Sequence, residues 1–385
     1  MSFGATRASA SHVSCGETIT SDTQLDSNLT DCPSDGLRIG ADNITLDLNG
    51  HTIDGVGNGT GVDIFFRHGV EVKNGRIKQF GTGVVAIFAD NNRLIGIRAA
   101  ANANAGIYLA RSDGNHLERI EAFNNGLGIV LTVDAGGGPS KGSDGNVLVH
   151  NRAIHNAGDG IVLGGSTSNR LEQNEASENG ADGIELRTQV VNLPEHSNDN
   201  LLSGNRASRN KEHGIVLRSG SSFNRLLGNR TNRNLEGIDL QDASNNNTVS
   251  GNEATGNDDE GIEISSSSEN RVDANKAVRN GISGFYVFGS SHNNHLELNL
   301  ASDNEVDGIF VEAASSGSLL VQNLTRQNGD DGIDVDSAST TLTRNRANRN
   351  VDLGIEAVAD VTDGGGNRAT GNGNPAQCLN VACSP

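Results

Sequence analysis

Charged, amide and aromatic residues recur at equivalent positions of a repeated pattern, Gly-apolar-x-apolar. In an extended strand the two apolar side chains would point to one face, and x would point to the opposite, outer face. Chemically useful side chains occupy x, or the position two residues later, in many repeats: Glu185, Arg187, Arg218, Asp239, Gln241, Glu263, Tyr286, Phe288, Phe310, Glu312 and Asp334. Arginines pair with carboxylates, carboxylates transfer protons, and aromatic rings offer apolar faces to sugar rings. The pattern predicts a polar and aromatic surface suited to a carbohydrate.

Two kinds of sugar chemistry fit this surface. A lyase or an epimerase neutralises a uronate carboxylate and removes the proton at C5, for which Arg187, Arg218 and a base such as His196 are candidates. A hydrolase needs two carboxylates about 5–9.5 Å apart, which Asp239 and Glu263 on successive repeats would provide. The candidate catalytic residues are therefore Arg187, His196, Arg218, Asp239, Glu263 and Tyr286. The candidate substrate-binding residues are Lys141, Glu185, Gln241, Phe288, Phe310, Glu312 and Asp334.

The repeat that must position these residues has a nearly fixed length. Glycine followed by an apolar residue recurs every 22–24 residues, apart from steps of 32 residues from Gly128 to Gly160 and 31 from Gly183 to Gly214. The anchors are Gly61, Gly83, Gly106, Gly128, Gly160, Gly183, Gly214, Gly237, Gly261, Gly284, Gly308, Gly332 and Gly354. Each repeat holds three short alternating segments separated by turn residues, which indicates strands rather than helices. The sequence predicts an all-β solenoid of about 13 coils with three short strands per coil.

Asparagine occupies one fixed position of the later repeats, and a second asparagine follows five residues after each. The first set is Asn151, Asn174, Asn205, Asn229, Asn252, Asn275, Asn299, Asn323 and Asn345. Stacked asparagine side chains can hydrogen-bond from coil to coil, and asparagine tolerates the left-handed conformations of sharp turns. We predict that these asparagines are structural.

From about Asn43 to Asn350 the chain resembles the parallel β-helix repeats of the carbohydrate-binding and sugar-hydrolase superfamily. The segment Ile44-Thr-Leu-Asp-Leu-Asn-Gly-His-Thr-Ile-Asp-Gly55 is similar to the first coil that often follows the N-terminal cap in these proteins. The resemblance implies a single-stranded right-handed parallel β-helix that has a polysaccharide as its partner. Polysaccharide lyases, polygalacturonases, mannuronan C5-epimerases and non-enzymatic proteins share this fold, so it does not select a mechanism. The Asp-Pro-His motif of the C5-epimerases does not occur in the sequence.

The two longer steps predict loop insertions at about Thr132–Asp144 and Thr188–Asp199. Both would leave the end of the Gly-apolar strand, two coils apart, and would form the wall of a binding groove. Lys141 and His196 lie in these insertions.

The chain ends predict caps. We expect an N-terminal segment and cap at residues 1–42, the β-helix at 43–359 and a C-terminal tail and cap at 360–385. The close cysteine pairs Cys15/Cys32 and Cys378/Cys383 favour disulfides over a metal site and therefore predict a secreted, extracellular protein. Residues 1–12 lack the apolar segment of a signal peptide, so we expect that a signal has been removed.

Charge limits the partners. With a net charge of −19, nucleic acid and anionic membrane surfaces are unfavourable partners, and no apolar run is long enough for a membrane helix. The sequence specifies no cofactor, although the acidic turns Asp258–Glu260 and Asp330–Asp331 are candidate ligands for a Ca²⁺ ion.

The leading hypothesis is a secreted lyase or C5-epimerase that acts on a uronate-containing glycan. A glycoside hydrolase with paired carboxylates, a non-catalytic glycan-binding surface protein and a purely structural solenoid stay open. The oligomeric state and the glycan are not determined by the sequence.

Overall fold

A computed structural model describes residues 10–133, 141–188 and 196–385. These residues form short β-strands joined by turns, and they contain no helix that could cross a membrane. The chain divides into two compact units, residues 1–175 and 176–385.

The first unit holds nineteen complete strands among its described residues. They are β1 (Ala10–Ser11), β2 (Glu17–Ile19), β3 (Thr23–Leu25), β4 (Leu29–Cys32), β5 (Leu37–Ile39), β6 (Thr45–Asp47), β7 (Thr52–Gly55), β8 (Thr60–Phe65), β9 (Glu71–Lys78), β10 (Thr82–Ile87), β11 (Arg93–Ala100), β12 (Ala105–Ala110), β13 (His116–Glu118), β14 (Glu121–Phe123), β15 (Leu127–Thr132), β16 (Val147–Val149), β17 (Arg152–Ile154), β18 (Ile161–Gly164) and β19 (Arg170–Glu172). Strand β20 (Glu175–Ser177) begins at the last residue of this unit.

The second unit continues the same order of short strands. They are β21 (Ile184–Arg187), β22 (Leu201–Ser203), β23 (Arg206–Ser208), β24 (His213–Leu217), β25 (Arg225–Leu227), β26 (Arg230–Asn232), β27 (Glu236–Leu240), β28 (Thr248–Ser250), β29 (Glu253–Thr255), β30 (Ile262–Ser265), β31 (Arg271–Asp273), β32 (Lys276–Val278), β33 (Phe285–Phe288), β34 (His295–Glu297), β35 (Leu300–Ser302), β36 (Ile309–Val311), β37 (Leu319–Val321), β38 (Leu324–Arg326), β39 (Ile333–Val335), β40 (Thr341–Thr343), β41 (Arg346–Asn348), β42 (Ile355–Ala357), β43 (Thr362–Gly365), β44 (Asn367–Thr370) and β45 (Cys383–Ser384).

Parallel pairing from turn to turn joins these strands. The Gly-apolar strands of the first unit, β2, β5, β8, β10, β12, β15 and β18, pair in that order. Those of the second unit are β21, β24, β27, β30, β33, β36, β39 and β42. The other two strands of each turn pair in parallel with their own equivalents in the neighbouring turns. The predicted parallel β-solenoid, with three strands per turn, is confirmed.

The solenoid has about fifteen turns rather than the expected thirteen. The two additional Gly-apolar strands, β2 and β5, precede the first anchor, Gly61. Strand β5 follows Gly36 and carries the same pattern, Gly-Leu-Arg-Ile, but its step to Gly61 is longer than the usual spacing. Strand β2 has Glu17 where the other strands have an apolar residue, so it departs from the Gly-apolar pattern.

The core is a column of aliphatic side chains from the inner face of every strand. In β27 and β30, Ile238, Leu240, Ile262 and Ile264 are all at most 1% exposed. The anchor glycine is required by close packing: a Cβ at Gly261 would lie 2.6 Å from the carbonyl oxygen of Gly284. Because no side chain fits there, the turns stack at the short parallel-sheet spacing.

Asparagine ladders run along the solenoid, as the sequence predicted. In the second unit the Nδ2 of Asn252 donates to the carbonyl oxygen of Leu226 (2.9 Å) and to Oδ1 of Asn275 (3.0 Å). Its own Oδ1 accepts from the backbone N–H (2.8 Å) and Nδ2 (2.9 Å) of Asn229. The structure adds a third asparagine column, represented here by Asn224 and Asn247. Buried turn backbone that has no strand partner is therefore hydrogen-bonded by side chains.

Both predicted disulfides are present. Cys15 bonds to Cys32, and Cys378 bonds to Cys383, which leaves no free cysteine.

Replacing Asn252 with alanine should lower the free energy of unfolding by about 2–3 kcal/mol, because the backbone N–H of Asn229 and the carbonyl of Leu226 lose buried partners. Urea unfolding followed by circular dichroism measures the change. Glu253→Ala, which removes an exposed side chain from the next position, is the matched control and should change the stability by less than about 0.5 kcal/mol. Equal stability of the Asn252→Ala and control variants would contradict the structural role of the ladder.

Candidate functional site

Most of the predicted site residues lie on or directly after the Gly-apolar strands of the second unit. Alternation along β27 and β30 places Asp239 and Glu263 on the face opposite the aliphatic core, as expected. The outer face is nevertheless not uniformly open. Glu185, Asp239 and Glu263 are only 1%, 2% and 9% exposed, whereas Tyr286, Phe310 and Asp334 are half-buried. The surface therefore consists of a buried polar part followed by a more open aromatic part.

The buried part depends on a position that the sequence analysis missed. The residue directly before the anchor glycine is ionisable in several successive repeats, including Asp182, His213, Glu236 and Glu260. The side chains of His213 and Glu236 approach the x residue Asp239. This position could have been found, because ionisable residues recur there with the period of the repeat.

His213 is the centre of this polar group. Its Nδ1 lies 2.7 Å from Oδ1 of Asp182, and its Nε2 lies 3.6 Å from both Oε2 of Glu236 and Oδ2 of Asp239. Burial by itself lowers the pKa of His213, but the hydrogen bond to Asp182 and the nearby carboxylate charges outweigh burial and raise it. For Asp182, burial raises the pKa, but the hydrogen bond and charge of His213 outweigh it and lower the pKa overall. His213 is therefore favoured as an imidazolium cation, not as a free base.

The two candidate arginines are already paired with buried carboxylates. Arg218 Nη2 lies 2.6 Å from Oδ2 of Asp182, and its Nε lies 3.2 Å from Oε1 of Glu185. Arg187 Nη1 lies 2.8 Å from Oε2 of Glu185. The sequence analysis treated the arginines as an open clamp for a uronate. In the structure both neutralise carboxylates of the protein itself.

On the strands that follow the two arginines, carboxyl groups lie close together without cations to neutralise all of them. Asp239 faces Glu263 in the strand register, and its Oδ1 has no hydrogen-bond partner among the described residues. Burial, reinforced by Glu236 and Glu263, raises the pKa of Asp239 well above its usual value. Burial and the charge of Glu236 also raise the pKa of Glu260 to about 7 and that of Glu263 to about 8. Glu263 is therefore mainly a protonated acid at neutral pH.

Three aromatic side chains follow directly on the outer face. The rings of Tyr286 and Phe288 are stacked with centroids 4.4 Å apart, and those of Tyr286 and Phe310 are stacked at 5.1 Å. Glu263 is the register neighbour of Tyr286 on the preceding strand. We call Tyr286, Phe288 and Phe310 the aromatic platform. Their clustering on the outer face agrees with the sequence prediction and brings an acid next to an apolar surface.

A second acidic group lies beyond the platform. The backbone N–H of Asp331 donates to Oδ1 of Asp307 (3.0 Å), and Oδ1 of Asp331 accepts from the backbone N–H of Leu353 (2.6 Å). Burial is the main cause that raises the pKa of Asp307 to about 6, of Asp331 to about 8 and of Asp334 to about 7, and neighbouring carboxylates add to it.

The remaining predicted residues have local contacts. Glu312 accepts a hydrogen bond from the backbone of Gly289 (3.0 Å), and Gln241 is half-buried after β27. His196 Nδ1 lies 2.7 Å from Oγ1 of Thr188. Lys141 belongs to the first unit, where it pairs with Asp113. The central parts of both insertions, residues 134–140 and 189–195, lie outside the described residues, so the groove wall stays a prediction.

Several carboxylate groups come close enough to surround a cation. The two acidic turns considered for Ca²⁺ each contribute to such a group, Glu236–Asp259–Glu260 and Asp330–Asp331–Asp352, whose oxygens lie within 4.8 Å of one another. A third group joins His213, Glu236 and Asp239. A metal-binding histidine must be neutral at the ligating nitrogen, and His213 instead carries a raised pKa. We assign no ion to these groups, and Ca²⁺ stays a prediction.

Comparison of the sequence with known protein families identifies the family of the chain. A family model described as right handed beta helix region matches residues 20–140, 140–301 and 237–373. The chain belongs to the right-handed β-helix family. This agrees with the resemblance drawn from the repeats and gives the hand of the solenoid.

Solved β-helix structures resemble most of the chain at low sequence identity. The A-module of the Azotobacter vinelandii mannuronan C-5 epimerase AlgE6 is 16% identical, covers 86% of this chain and 91% of its own, and has a TM-score of 0.61. The AlgE4 A-module of the same organism is 14% identical, with coverages of 85% and 91% and a TM-score of 0.56. The receptor binding domain of the siphovirus 9NA tailspike is 8% identical, with coverages of 96% and 73% and a TM-score of 0.56. No curated protein sequence matches the chain. At these identities the likeness shows the fold alone.

The buried carboxyl groups predict a falling stability with rising pH. The unfolded chain releases these protons near its ordinary values of 3.8–4.5, whereas Asp307, Glu260, Asp334, Glu263 and Asp331 hold them to about pH 6–8 when folded. Between these limits the unfolded state binds fewer protons, so its formation becomes easier as pH rises. We expect Tm to fall from pH 5 to pH 8 in the presence of a chelator. Asp331→Asn keeps the acceptor for Leu353 and should raise Tm by a few degrees at pH 8 and little at pH 5.

Calorimetry at the two pH values measures this difference. Glu305→Gln, at an exposed position of the preceding turn, is the control and should leave the fall of Tm with pH as it is in the parent protein. A Tm that rises from pH 5 to pH 8 would contradict the assignment of raised pKa values.

Proposed function

We propose that the protein is a secreted polysaccharide-cleaving enzyme in which Glu263 protonates the glycosidic oxygen of a sugar stacked on Tyr286. The observation that carries this proposal is the register of β30 and β33, which sets the carboxyl group of Glu263 beside the central ring of the aromatic platform. Aromatic rings are suitable platforms for the apolar faces of sugars. A sugar on Tyr286 would bring its linkage oxygen toward the neighbouring strand.

Glu263 has the protonation state that a general acid needs. Its side chain lies at the border between the buried carboxyl groups and the half-buried platform, so it is partly shielded from water. Shielding and the charge of Glu236 raise its pKa to about 8. An acid that is protonated at neutral pH can transfer its proton to a leaving oxygen as the bond breaks.

Glu236 is the candidate for the second carboxylate of a hydrolase. Its carboxylate lies within 4.8 Å of that of Glu260, three residues before Glu263. After burial, the charge of Glu236 is the largest contribution to the raised pKa of Glu263. Burial raises the pKa of Glu236 itself, but the charge of His213, whose Nε2 lies 3.6 Å from Oε2 of Glu236, opposes this. Because like charges repel, an ionised Glu236 would hold the proton on Glu263. An acid paired with a base or nucleophile is the arrangement that glycoside hydrolysis requires.

The polymeric substrate and the secretion rest on other support. The two epimerase modules and the tailspike domain have the same fold, and by name the former act on mannuronan and the latter binds a receptor. Turns that repeat in parallel offer equivalent positions to successive units of a chain. Two disulfides without any free cysteine are typical of proteins from an oxidising compartment.

Elimination or C5-epimerisation of a uronate is the second candidate function, favoured by the three cations Arg187, Arg218 and His213. A uronate would have to share or displace the protein carboxylates that these cations already bind. The reaction products separate the possibilities. Hydrolysis creates reducing ends only, elimination also creates an unsaturated uronate that absorbs ultraviolet light, and epimerisation creates neither.

Glu263→Gln should lower kcat for polysaccharide cleavage by about 100-fold or more, since the amide cannot deliver a proton. Tyr286→Ala should raise KM by about tenfold through lost stacking, and Tyr286→Phe should keep most of the activity because it keeps the ring. Reducing-end and ultraviolet assays on a panel of neutral and acidic polysaccharides, with Ca²⁺ and with a chelator, provide the measurement. The exposed Glu305→Gln is the matched control. Full activity of Glu263→Gln on a cleaved substrate would refute the assigned role.

The pH profile gives an independent test. The acid must be protonated, so kcat/KM should fall as the pH rises through about 8, the pKa of Glu263. Initial rates between pH 5 and pH 10, below the temperature at which the protein unfolds, measure this limb. A rate that increases steadily above pH 8 would show that the group must be ionised.

A further inference from the structure

An arginine-lined cavity lies on another face of the same turns. It has a volume of about 460 Å³ and is lined by Arg206, Arg209, Asn232, Arg233, Thr255, Gly256 and Arg279. We call it the arginine pocket. All of these residues belong to strands β23, β26, β29 and β32 or to the turns that follow them, and no carboxylate is among them. The pocket is thus locally cationic on a chain whose net charge is −19.

The register of the solenoid aligns three of the four arginines. Arg209, Arg233 and Arg279 occupy the same turn position, directly before a ladder asparagine, and share positive φ angles of 56°, 56° and 57°. Gly256 occupies this position in the turn between Arg233 and Arg279, with φ 61°. Since Gly256 has no side chain, it opens a gap between two guanidinium groups that start two turns, or about 10 Å, apart.

Two of these arginines have no anionic partner in the part of the chain that the structure describes. Arg209 pairs with Glu178 (3.1 Å), and Nε of Arg206 donates to Ser208 (3.3 Å). Within residues 10–133, 141–188 and 196–385, the side chains of Arg233 and Arg279 form no ion pair or hydrogen bond. Guanidinium groups are well suited to planar, two-pronged binding of carboxylate, sulfate or phosphate oxygens. Arg233 and Arg279 are therefore available to an external anion.

We propose that the arginine pocket binds the acidic groups of an anionic polysaccharide and holds that polymer along the solenoid. This inference rests on the proposed function for the choice of a glycan as the ligand, and it adds that the glycan is acidic. An extended sugar chain advances per residue by a length similar to one solenoid turn. Acidic groups on alternate sugar residues can therefore meet Arg233 and Arg279, which lie two turns apart. Elsewhere the excess of carboxylates repels such a polymer, which concentrates its binding at this pocket.

The test measures binding rather than turnover. Titration calorimetry with polygalacturonate and alginate oligosaccharides, with dextran sulfate and with a neutral glucan compares the parent protein with Arg233→Ala/Arg279→Ala. We expect the double variant to bind the acidic glycans at least tenfold more weakly, with a smaller dependence on salt and an unchanged Tm. Arg349→Ala is the matched control, because Arg349 is exposed, has φ 59° and lies at the same turn position outside the pocket.

The outcomes separate this inference from the proposed function. Loss of binding in the double variant, with normal binding by Glu263→Gln, supports the pocket whether or not Glu263 is catalytic. Loss confined to dextran sulfate, or to the two uronate polymers, supports the pocket and identifies sulfate or carboxylate as its anion. Equal affinity of the parent and the double variant, no binding of any acidic glycan, or a role only in self-association seen by light scattering would overturn it.

Discussion

Parallel stacking of equivalent residues is the constraint on which each unit of this protein depends. Neighbouring turns exchange backbone hydrogen bonds in one register. Ile therefore lies on Ile, Asn on Asn and Asp239 on Glu263. The register is kept by the anchor glycines, which admit no Cβ, and by the asparagine ladders, which satisfy the turn backbone where strands end. A residue on any face is consequently positioned by its place in the repeat more than by its local neighbours.

The same stacking makes it energetically unfavourable to place like-charged side chains at one position of successive turns. Successive carboxylates at one position face each other across a single sheet spacing, and their repulsion must be relieved by protonation or by a cation. Both solutions occur on the outer face. Arg187, Arg218 and His213 neutralise Asp182 and Glu185, whereas burial and neighbouring carboxylates raise the pKa of Asp239 and Glu263. Such an arrangement weakens the fold, and groups of this kind concentrate where a protein needs an acid or a ligand site.

The sequence was sufficient for the fold because its strongest signals have the period of the turn. The anchor glycines and the ladder asparagines predicted the solenoid, its three strands per turn and the face on which Asp239, Glu263 and Tyr286 lie. The first two Gly-apolar strands were not predicted, because β2 breaks the apolar pattern and β5 has a longer step to the next strand. The ion pairs of Arg187 and Arg218 could not be predicted in the same way, since both depend on side-chain conformations that no backbone period specifies. The ion pairs of Arg218 also involve Asp182, which was not among the predicted residues.

The opposite signs of charge on two faces of the second unit follow from the fact that each residue is positioned by its place in the repeat. Each position of the repeat forms its own series of residues along the chain. One series consists of the residues before the anchor glycines, and another consists of the residues before the second ladder asparagines. The first series is mostly acidic, and burial together with the charge of its members Glu236 and Glu260 raises the pKa of the x residue Glu263 beside the aromatic platform. The second series includes Arg209, Arg233 and Arg279. In the proposed function, the second series attracts the polymer, whereas the first series holds the proton on Glu263. Neighbouring negative charge keeps an acid protonated, whereas an anionic polymer is attracted by positive charge. One column of residues could not provide both charges at the same place, but two separate columns can.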